Sequence, residues 1–206
     1  MAATLAAARR RNTLIAALVL CAALSVLGYT LAQAILFAPV EEELSPAQAG
    51  KVLRATQSDY PARLSIPALG VEAAVQDVGV AKSGRMAVPT NYSDVGWYRY
   101  GPVPGEAGNA VFDGHVDNGF GRLGVFARLH ELKAGQEVVI ENVRGEEVRF
   151  VVEDVEAYGA GDVPLARVFA ESGPPRVVLI TCEGTFDPDT KTYDKRLLVY
   201  ARLVAG

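Results

Sequence analysis

Acidic residues are missing from the first forty positions of this 206-residue chain; the first is Glu41. The same stretch holds only three basic residues, Arg9, Arg10 and Arg11. Cysteine and histidine are scarce throughout, at Cys21, Cys182, His115 and His130. Each shortage excludes something. Two cysteines exclude a disulfide-dense scaffold, and so few thiols and imidazoles argue against a His/Cys zinc cluster. A net charge of −4 argues against a nucleic-acid binder, which needs a basic face. There is no internal repeat, no heptad run and no Gly-rich phosphate loop. Gly119-Phe120-Gly121 lacks the third glycine and the helix start of a nucleotide signature. Half of the chain is hydrophobic, so it is not a disordered protein, and its length suits one ordinary domain plus a tail.

What is present is strongly segregated. Removing the three arginines from the total of 20 basic residues leaves 17 against 24 acidic ones, a formal −7 beyond the first 37 positions. Leu14–Phe37 carries no charge, and Ser25, Thr30 and Gln33 are its only clearly polar side chains. About 20 apolar residues suffice for a helix to cross a bilayer. A charge at the bilayer centre costs about 2.5–3.5 kcal/mol on insertion scales, so its absence over 24 residues is informative. A cleaved signal peptide is the alternative, with Ala32-Gln33-Ala34 as its processing site, but signal h-regions run only about 7–15 residues. A core helix would show a polar stripe. The reading is therefore a cytoplasmic N-terminus over 1–13, a membrane anchor over 14–37, a stalk over 38–60 and an extracytoplasmic domain over 61–206. A short helix is expected within the stalk, at about Pro46–Thr56.

From Arg63 onward, short apolar or alternating runs are separated by Gly, Pro, Asn and Asp. Strands are expected at Arg63–Ile66, Ala73–Val80, Asn109–Asp113, Glu137–Asn142, Glu147–Ala157, Arg176–Thr181 and Arg196–Val204. Arg144-Gly145 reads as a hairpin turn. Helical patterns are confined to Val125–Leu132 and Leu165–Ala170. Seven or eight short strands in this length suggest an all-β closed barrel or sandwich.

Cys182 is the only thiol of the outer domain. It follows the apolar run Val177–Ile180, where a rigid scaffold presents a side chain at the start of a loop. A buried, inert cysteine fits the same position. A reactive thiol needs its thiolate favoured by a nearby cation, and a histidine can supply that and move a proton. His115 ends the run Val111–Gly114, whereas His130 lies in the amphipathic stretch Phe126–Leu132 and reads as a surface residue. A structural histidine is the competing reading for His115. Arg196 opens the last strand, sharing a face with Leu198 and Tyr200 by alternation, and reads as a barrel-lining cation suited to a developing oxyanion. An ordinary strand-start arginine is the competing reading. Lys195 and Arg202 are rival candidates, and Arg176 is expected to be solvated.

These residues resemble the sortases, the cysteine transpeptidases of bacterial surfaces. Leu179-Ile180-Thr181-Cys182 matches most of their Thr-Leu-x-Thr-Cys signature, with Val178 in place of the first Thr. Asp113-Gly114-His115 is similar to the Ala/Thr-Gly-His context of the family's histidine, with Asp in first place. Tyr193-Asp194-Lys195-Arg196 has the layout of the segment that carries the family's arginine, and Phe126–Val138 resembles the segment after the histidine. The similarity runs in order over about Arg63–Leu203, and Val95–Tyr98 and Leu179–Asp187 look most like class F sortases.

The resemblance implies a closed eight-stranded antiparallel barrel with one or two short helices. It implies that Cys182 attacks the Thr–Gly bond of an LPXTG-like sorting signal, that His115 protonates the leaving amine, and that Arg196 holds the carbonyl or oxyanion. A thioacyl enzyme would pass the surface protein to a cell-wall precursor amine. No cofactor and no metal are implied; Glu106 and Asp94 are the only candidates for the family's calcium site and do not form a convincing one. A cysteine hydrolase with the same Cys–His pair and a non-catalytic binding domain are the alternatives. A cell-wall L,D-transpeptidase is disfavoured by the lack of a Ser-x-Gly-Cys motif.

Overall fold

The computed structural model describes residues 2–38, 41–49, 59–118 and 121–204. The chain divides into two units, Met1–Phe37 and Ala38–Gly206.

The first unit is one helix, α1 (Ala2–Leu36). Its portion Leu14–Leu36 is long and apolar enough to cross a membrane. Leucines and valines are exposed all round it, among them Leu18, Val19, Leu24, Leu27 and Leu31, with no polar stripe to mark a solvent face. The hydroxyls of Ser25 and Thr30 donate within the helix, to the carbonyls of Cys21 (2.8 Å) and Leu27 (2.9 Å).

The second unit is the expected closed barrel. Its strands are β1 (Pro61–Ile66), β2 (Val71–Val78), β3 (Val95–Tyr98), β4 (Asn109–Gly114), β5 (Glu137–Asn142), β6 (Glu147–Gly159), β7 (Arg176–Asp187) and β8 (Thr192–Leu203). They close in the order β1-β2-β3-β4-β7-β8-β6-β5. Two ladders, β2·β3 and β4·β7, run parallel, which departs from an all-antiparallel barrel. Parallel neighbours need a crossover of a dozen or more residues. The connection from Val78 to Val95 and the excursion through β5 and β6 supply these.

Alternation sorts the side chains into two layers. Leu64, Trp97, Phe112, Phe150, Leu179 and Val199 fill the barrel. Val111, Val178, Leu198 and Tyr200 form a second cluster on its outer face, with Val168 and Phe169 from the β6–β7 connection packed there. Arg196, Leu198 and Tyr200 therefore share a face as expected, but it is the outer face; Leu197, Val199 and Ala201 line the lumen.

Several sequence expectations change. β3 is a strand of only four residues between turn-rich loops and was missed as a strand. Val125–Leu132 is not a helix but a turn leading into a 3-10 turn at Leu129–Glu131, short enough to close β4 back toward β5. Helices α2 (Pro46–Ala49) and α3 (Leu165–Val168) are single turns; the rest of the expected Pro46–Thr56 helix lies outside the described residues. β7 and β8 run past Cys182 and Arg196, so neither residue terminates its strand. The ladder shifts register between Glu183 and Phe186, where Gly184 adopts φ 88°, a conformation that favours glycine.

Part of the segment read as a stalk is hydrogen-bonded to the β2–β3 connection. Leu44 N donates to Val80 O (2.8 Å), and Lys82 N to Glu42 O (3.0 Å). Glu43 accepts from Gly79 N (2.9 Å) and pairs with Arg99, which also pairs with Asp77 (3.0 Å). A Cβ at Gly79 would lie 2.6 Å from the Arg99 guanidinium and 2.8 Å from the Glu43 carboxylate, so a side chain there would displace the ends of both.

Candidate active site

Three adjacent strands, β4, β7 and β8, bring together residues from distant parts of the chain. Cys182 on β7 is the direct ladder partner of Arg196 on β8. On the other side, β4 and β7 are paired through Asp113 and Ile180. Thr181 Oγ1 donates to Gly114 O at 2.8 Å, carrying the same register one step further. β4 ends at Gly114, so His115 is the first residue beyond the strand, and one further step of the same register would set it level with Cys182.

The backbone of His115 is clamped from below. Phe126 N donates to its carbonyl at 3.0 Å, and Gly124 N donates to Val116 O at 2.8 Å. A Cβ at Gly124 would lie 2.3 Å from the His115 carbonyl oxygen, and one at Gly114 would lie 2.6 Å from the Phe126 ring. The loop can close this tightly only because both positions lack a side chain. His115 Nε2 stands 3.0 Å from Pro89 O, and its ring is 4.9 Å from the Tyr92 ring. A carbonyl only accepts, so Nε2 carries a proton and Nδ1 is the nitrogen that can exchange one.

Arg196 is anchored by the β7–β8 hairpin. Its Nη1 donates to Tyr193 O (2.9 Å) and Lys195 O (2.7 Å), and Nη2 to Thr192 Oγ1 (2.9 Å). These bonds leave Nε–H and one Nη2–H of the fork for another acceptor. The rival cations lie elsewhere. Arg202 and Arg176 both approach Glu153, at 3.8 Å and 3.0 Å, at the opposite end of the ladder. Arg176 is half-buried rather than solvated. Lys195 pairs with Glu183 and Gly159 in the ladders and is exposed.

Burial sets the protonation states. It pushes the Cys182 thiol above its ordinary value; Arg196 and Arg85 oppose the shift, and Asp113 and Asp117 reinforce it. It also pulls the His115 imidazole down, against the Pro89 contact and the charges of Asp117 and Glu41. Both shifts favour the uncharged forms, a neutral thiol and a neutral imidazole, not the thiolate that a cation alone would favour. Asp113 is held well above the usual carboxylate range, first by burial and also by Glu41. Its Oδ1 is shut off from solvent without a hydrogen-bond partner among the described residues.

The sequence reading missed several groups. Tyr193 donates its hydroxyl to Asp117 and is pushed up to about 12 by burial and that bond. Asp113 and Asp117 flank His115 in the motif itself, and spacing alone did not mark them as electrostatic neighbours of the thiol. His130 is exposed as expected, yet it lines a pocket of about 280 Å³ together with Cys182, Glu183 and Tyr193. Asp94, one of the two calcium candidates, accepts from Gln76 Nε2 (2.9 Å) and Asn91 Nδ2 (2.7 Å) and so braces the β2–β3 connection. Glu106 accepts from Val103 N at 3.4 Å.

A closed eight-stranded barrel with a thiol on β7 between β4 and β8 defines a class, the β-barrel cysteine transpeptidases. The family profile described as "Sortase domain" matches residues 64–204, well over half of the chain, and the chain belongs to the sortase family. Solved structures of low identity share the fold. Sortase C-1 of Actinomyces oris is 21% identical with a TM-score of 0.53, covering 70% of this chain and 73% of its own. A pilus-related sortase C of Group B Streptococcus is 18% identical with a TM-score of 0.53, covering 74% and 70%. Sortase C1 of Streptococcus suis is 19% identical with a TM-score of 0.54, covering 72% and 75%. No curated protein matches the chain.

Proposed function

We propose that this sortase is a membrane-anchored enzyme that cleaves LPXTG-like sorting signals between Thr and Gly and transfers the acyl part to a cell-wall amine. Cys182, His115 and Arg196 carry the reaction. The observation that supports this most is the ladder pairing of Cys182 with Arg196, beside the Thr181–Gly114 bond that ties β7 to the residue before His115.

Cys182 gives its proton to His115, and the thiolate attacks the Thr carbonyl carbon. The remaining donors of the Arg196 fork face the developing oxyanion, where electrostatic stabilisation is worth most. The C–N bond breaks as the His115 imidazolium returns its proton to the Gly nitrogen, leaving a thioacyl enzyme. An incoming amine then attacks the same carbon, the C–S bond breaks, and the thiol is restored.

Residues 14–37 anchor the enzyme, 1–13 stay in the cytoplasm, 38–60 connect anchor to barrel and 61–206 form the catalytic domain outside. At 1.5 Å per residue, the 23 residues of Leu14–Leu36 extend about 34 Å, enough for a hydrocarbon core of about 30 Å. Hydroxyls bonded within the helix suit a medium without water. The class F affinity rests on Val95–Tyr98 and Leu179–Asp187.

The test is incubation of LPXTG-type peptides with and without an amine acceptor. Cleavage plus a ligated product supports transpeptidation, and cleavage alone supports the hydrolase reading. Cys182→Ala must abolish both. Intact peptides across a broad panel would remove the proposal.

A further inference from the structure

His115 can exchange a proton with the thiol only while one nitrogen stays turned toward it, and one hydrogen bond does not secure that. Its Nε2 lies 3.0 Å from Pro89 O. The torsion about the Cβ–Cγ bond of a histidine has broad wells, so the ring can swing away from a single acceptor. A half-turn exchanges Nδ1 with Cδ2 and leaves a carbon in place of the exchanging nitrogen. Phe126 N and the close approach of Gly124 hold the backbone of His115, not its ring.

A second contact restrains the ring. The Tyr92 ring lies 4.9 Å from the imidazole between centroids, with the two planes at 57°. That separation falls within the roughly 4.5–7 Å of favourable aromatic pairs. Tyr92 is half-buried and is itself fixed by its surroundings. Its carbonyl accepts from Val125 N at 2.8 Å, which ties it to the loop that closes under His115. Around it, Thr90 N donates to Gln76 Oε1 (3.0 Å), Asp94 N to Asn91 Oδ1 (2.8 Å) and Gln76 Nε2 to Asp94 Oδ2 (2.9 Å). These bonds fasten the connection from Pro89 to Asp94 onto β2. The carbonyl and the ring that meet His115 therefore come from one braced segment. The Tyr92 hydroxyl is pushed up by burial and then by Asp117, so it stays protonated and is no base near neutral pH.

We infer that Tyr92 is a positioning residue for His115: its ring confines the imidazole to the orientation in which Nε2 is held on Pro89 O and Nδ1 is turned to Cys182. The ring carries this role, not the hydroxyl. The inference rests on reading Cys182 and His115 as the reacting pair. A catalytic side chain is held to within about 0.5 Å only when its rotamer is locked by packing and by supporting hydrogen bonds. Tyr92 supplies the packing and Pro89 the hydrogen bond. No covalent step is added, and the proton still passes between Cys182 Sγ and His115 Nδ1.

The chain has only two histidines, so isotope-labelled histidine in the full chain in detergent gives an uncrowded NMR spectrum, and His130→Gln assigns His115. At a pH above its titration, wild-type His115 should show a proton on Nε2 that is protected from exchange with water. Tyr92→Phe should keep that signal, and Tyr92→Leu should lose it. Cleavage of an LPXTG-type peptide should follow the ring. In Tyr92→Leu, kcat should fall roughly tenfold to a hundredfold with KM within about threefold, while Tyr92→Phe stays within about twofold of wild type. An equal loss in Tyr92→Phe assigns the role to the hydroxyl and overturns the inference. So does a kcat in Tyr92→Leu within about threefold of wild type, or a lost kcat with the Nε2–H signal intact. An effect confined to KM makes Tyr92 a substrate contact and overturns it as well. Absence of a protected Nε2–H signal in the wild type overturns it without any variant. Tyr92→Met, also ringless, replaces Tyr92→Leu if that variant does not melt cooperatively. The spectra read the same whether or not a peptide is cleaved. Signals as expected with intact peptides across the panel therefore place the failure in the transpeptidase reading, not in the ring contact.

Discussion

Cys182 and Arg196 face each other across the β7·β8 ladder, and yet burial outweighs the guanidinium, so the thiol is held above its ordinary value. The arginine moderates the cost of forming a thiolate without abolishing it. Its fork is already oriented by Tyr193 O, Lys195 O and Thr192 Oγ1.

Arg196→Lys keeps the charge and loses the planar fork with its fixed anchors. The kcat/KM for peptide cleavage should fall by about 10²–10³, the range seen when one oxyanion donor is removed. In Arg196→Ala the alkylation of Cys182 by iodoacetamide should need a more alkaline pH, since the main group opposing the shift is gone. Turnover near wild type in Arg196→Ala would withdraw its role.

The pH profile follows from the two shifts. The active pair is thiolate and imidazolium, whose population is greatest between the two titrations. His115 titrates below its ordinary 6.5 and Cys182 above its ordinary 9.0. A plot of kcat/KM against pH should therefore show a broad bell, with an acid limb below 6.5 and an alkaline limb above 9.0. A narrow optimum with both limbs inside that interval would contradict the burial argument.

Asp113 predicts a stability change of definite sign. Its folded carboxyl binds a proton more tightly than the unfolded one, whose ordinary value is 3.8. Between that value and the raised folded one, the native state holds more protons, so stability falls as pH rises. Asp113→Asn removes the decline. Its melting temperature should exceed that of the wild type at neutral pH and converge with it in acid below 3.8, as thermal melts across pH will show.

Thr181→Val removes the hydroxyl that bonds Gly114 O at 2.8 Å while keeping the shape of the side chain. The buried carbonyl loses this donor, at a cost of about 1–3 kcal/mol. Chemical denaturation should register this loss. Activity should fall further than stability requires, because the bond ties β7 to β4 one residue before Cys182 and His115. An equal effect on both would reduce Thr181 to a packing role.

Much of the barrel was readable because its strands are locally marked. β1, β4, β5, β6 and the first half of β7 alternate or run apolar between Gly, Pro and Asn, and each was placed to within a few residues. β3 was missed because four residues carry too little periodicity, and what holds Val95–Tyr98 is pairing with β2 and β4. Val125–Leu132 has a helical spacing of apolar residues, but Phe126 and Leu129 are drawn into the barrel core, and the tight closure under His115 leaves room only for a turn. Of the candidate site residues, Cys182, His115 and Arg196 stand out in the sequence through scarcity and motif. Asp117, Tyr193, Glu183 and His130 do not, since their relation to Cys182 runs through neighbouring strands and a connecting loop.

By itself the sequence determined the uncharged run Leu14–Phe37, the all-β character of the outer domain and the short list of residues able to do thiol chemistry. Those properties are local: composition and period decide them. Only the tertiary structure decided that β2·β3 and β4·β7 are parallel and that Arg196 lies on the outer face of the barrel opposite Cys182. It also decided that burial pushes the thiol up and pulls the imidazole down, and that Glu183 and His130 border a pocket with Cys182. Register joins residues far apart in the chain, and burial sums over everything packed around a group, so no local pattern encodes either.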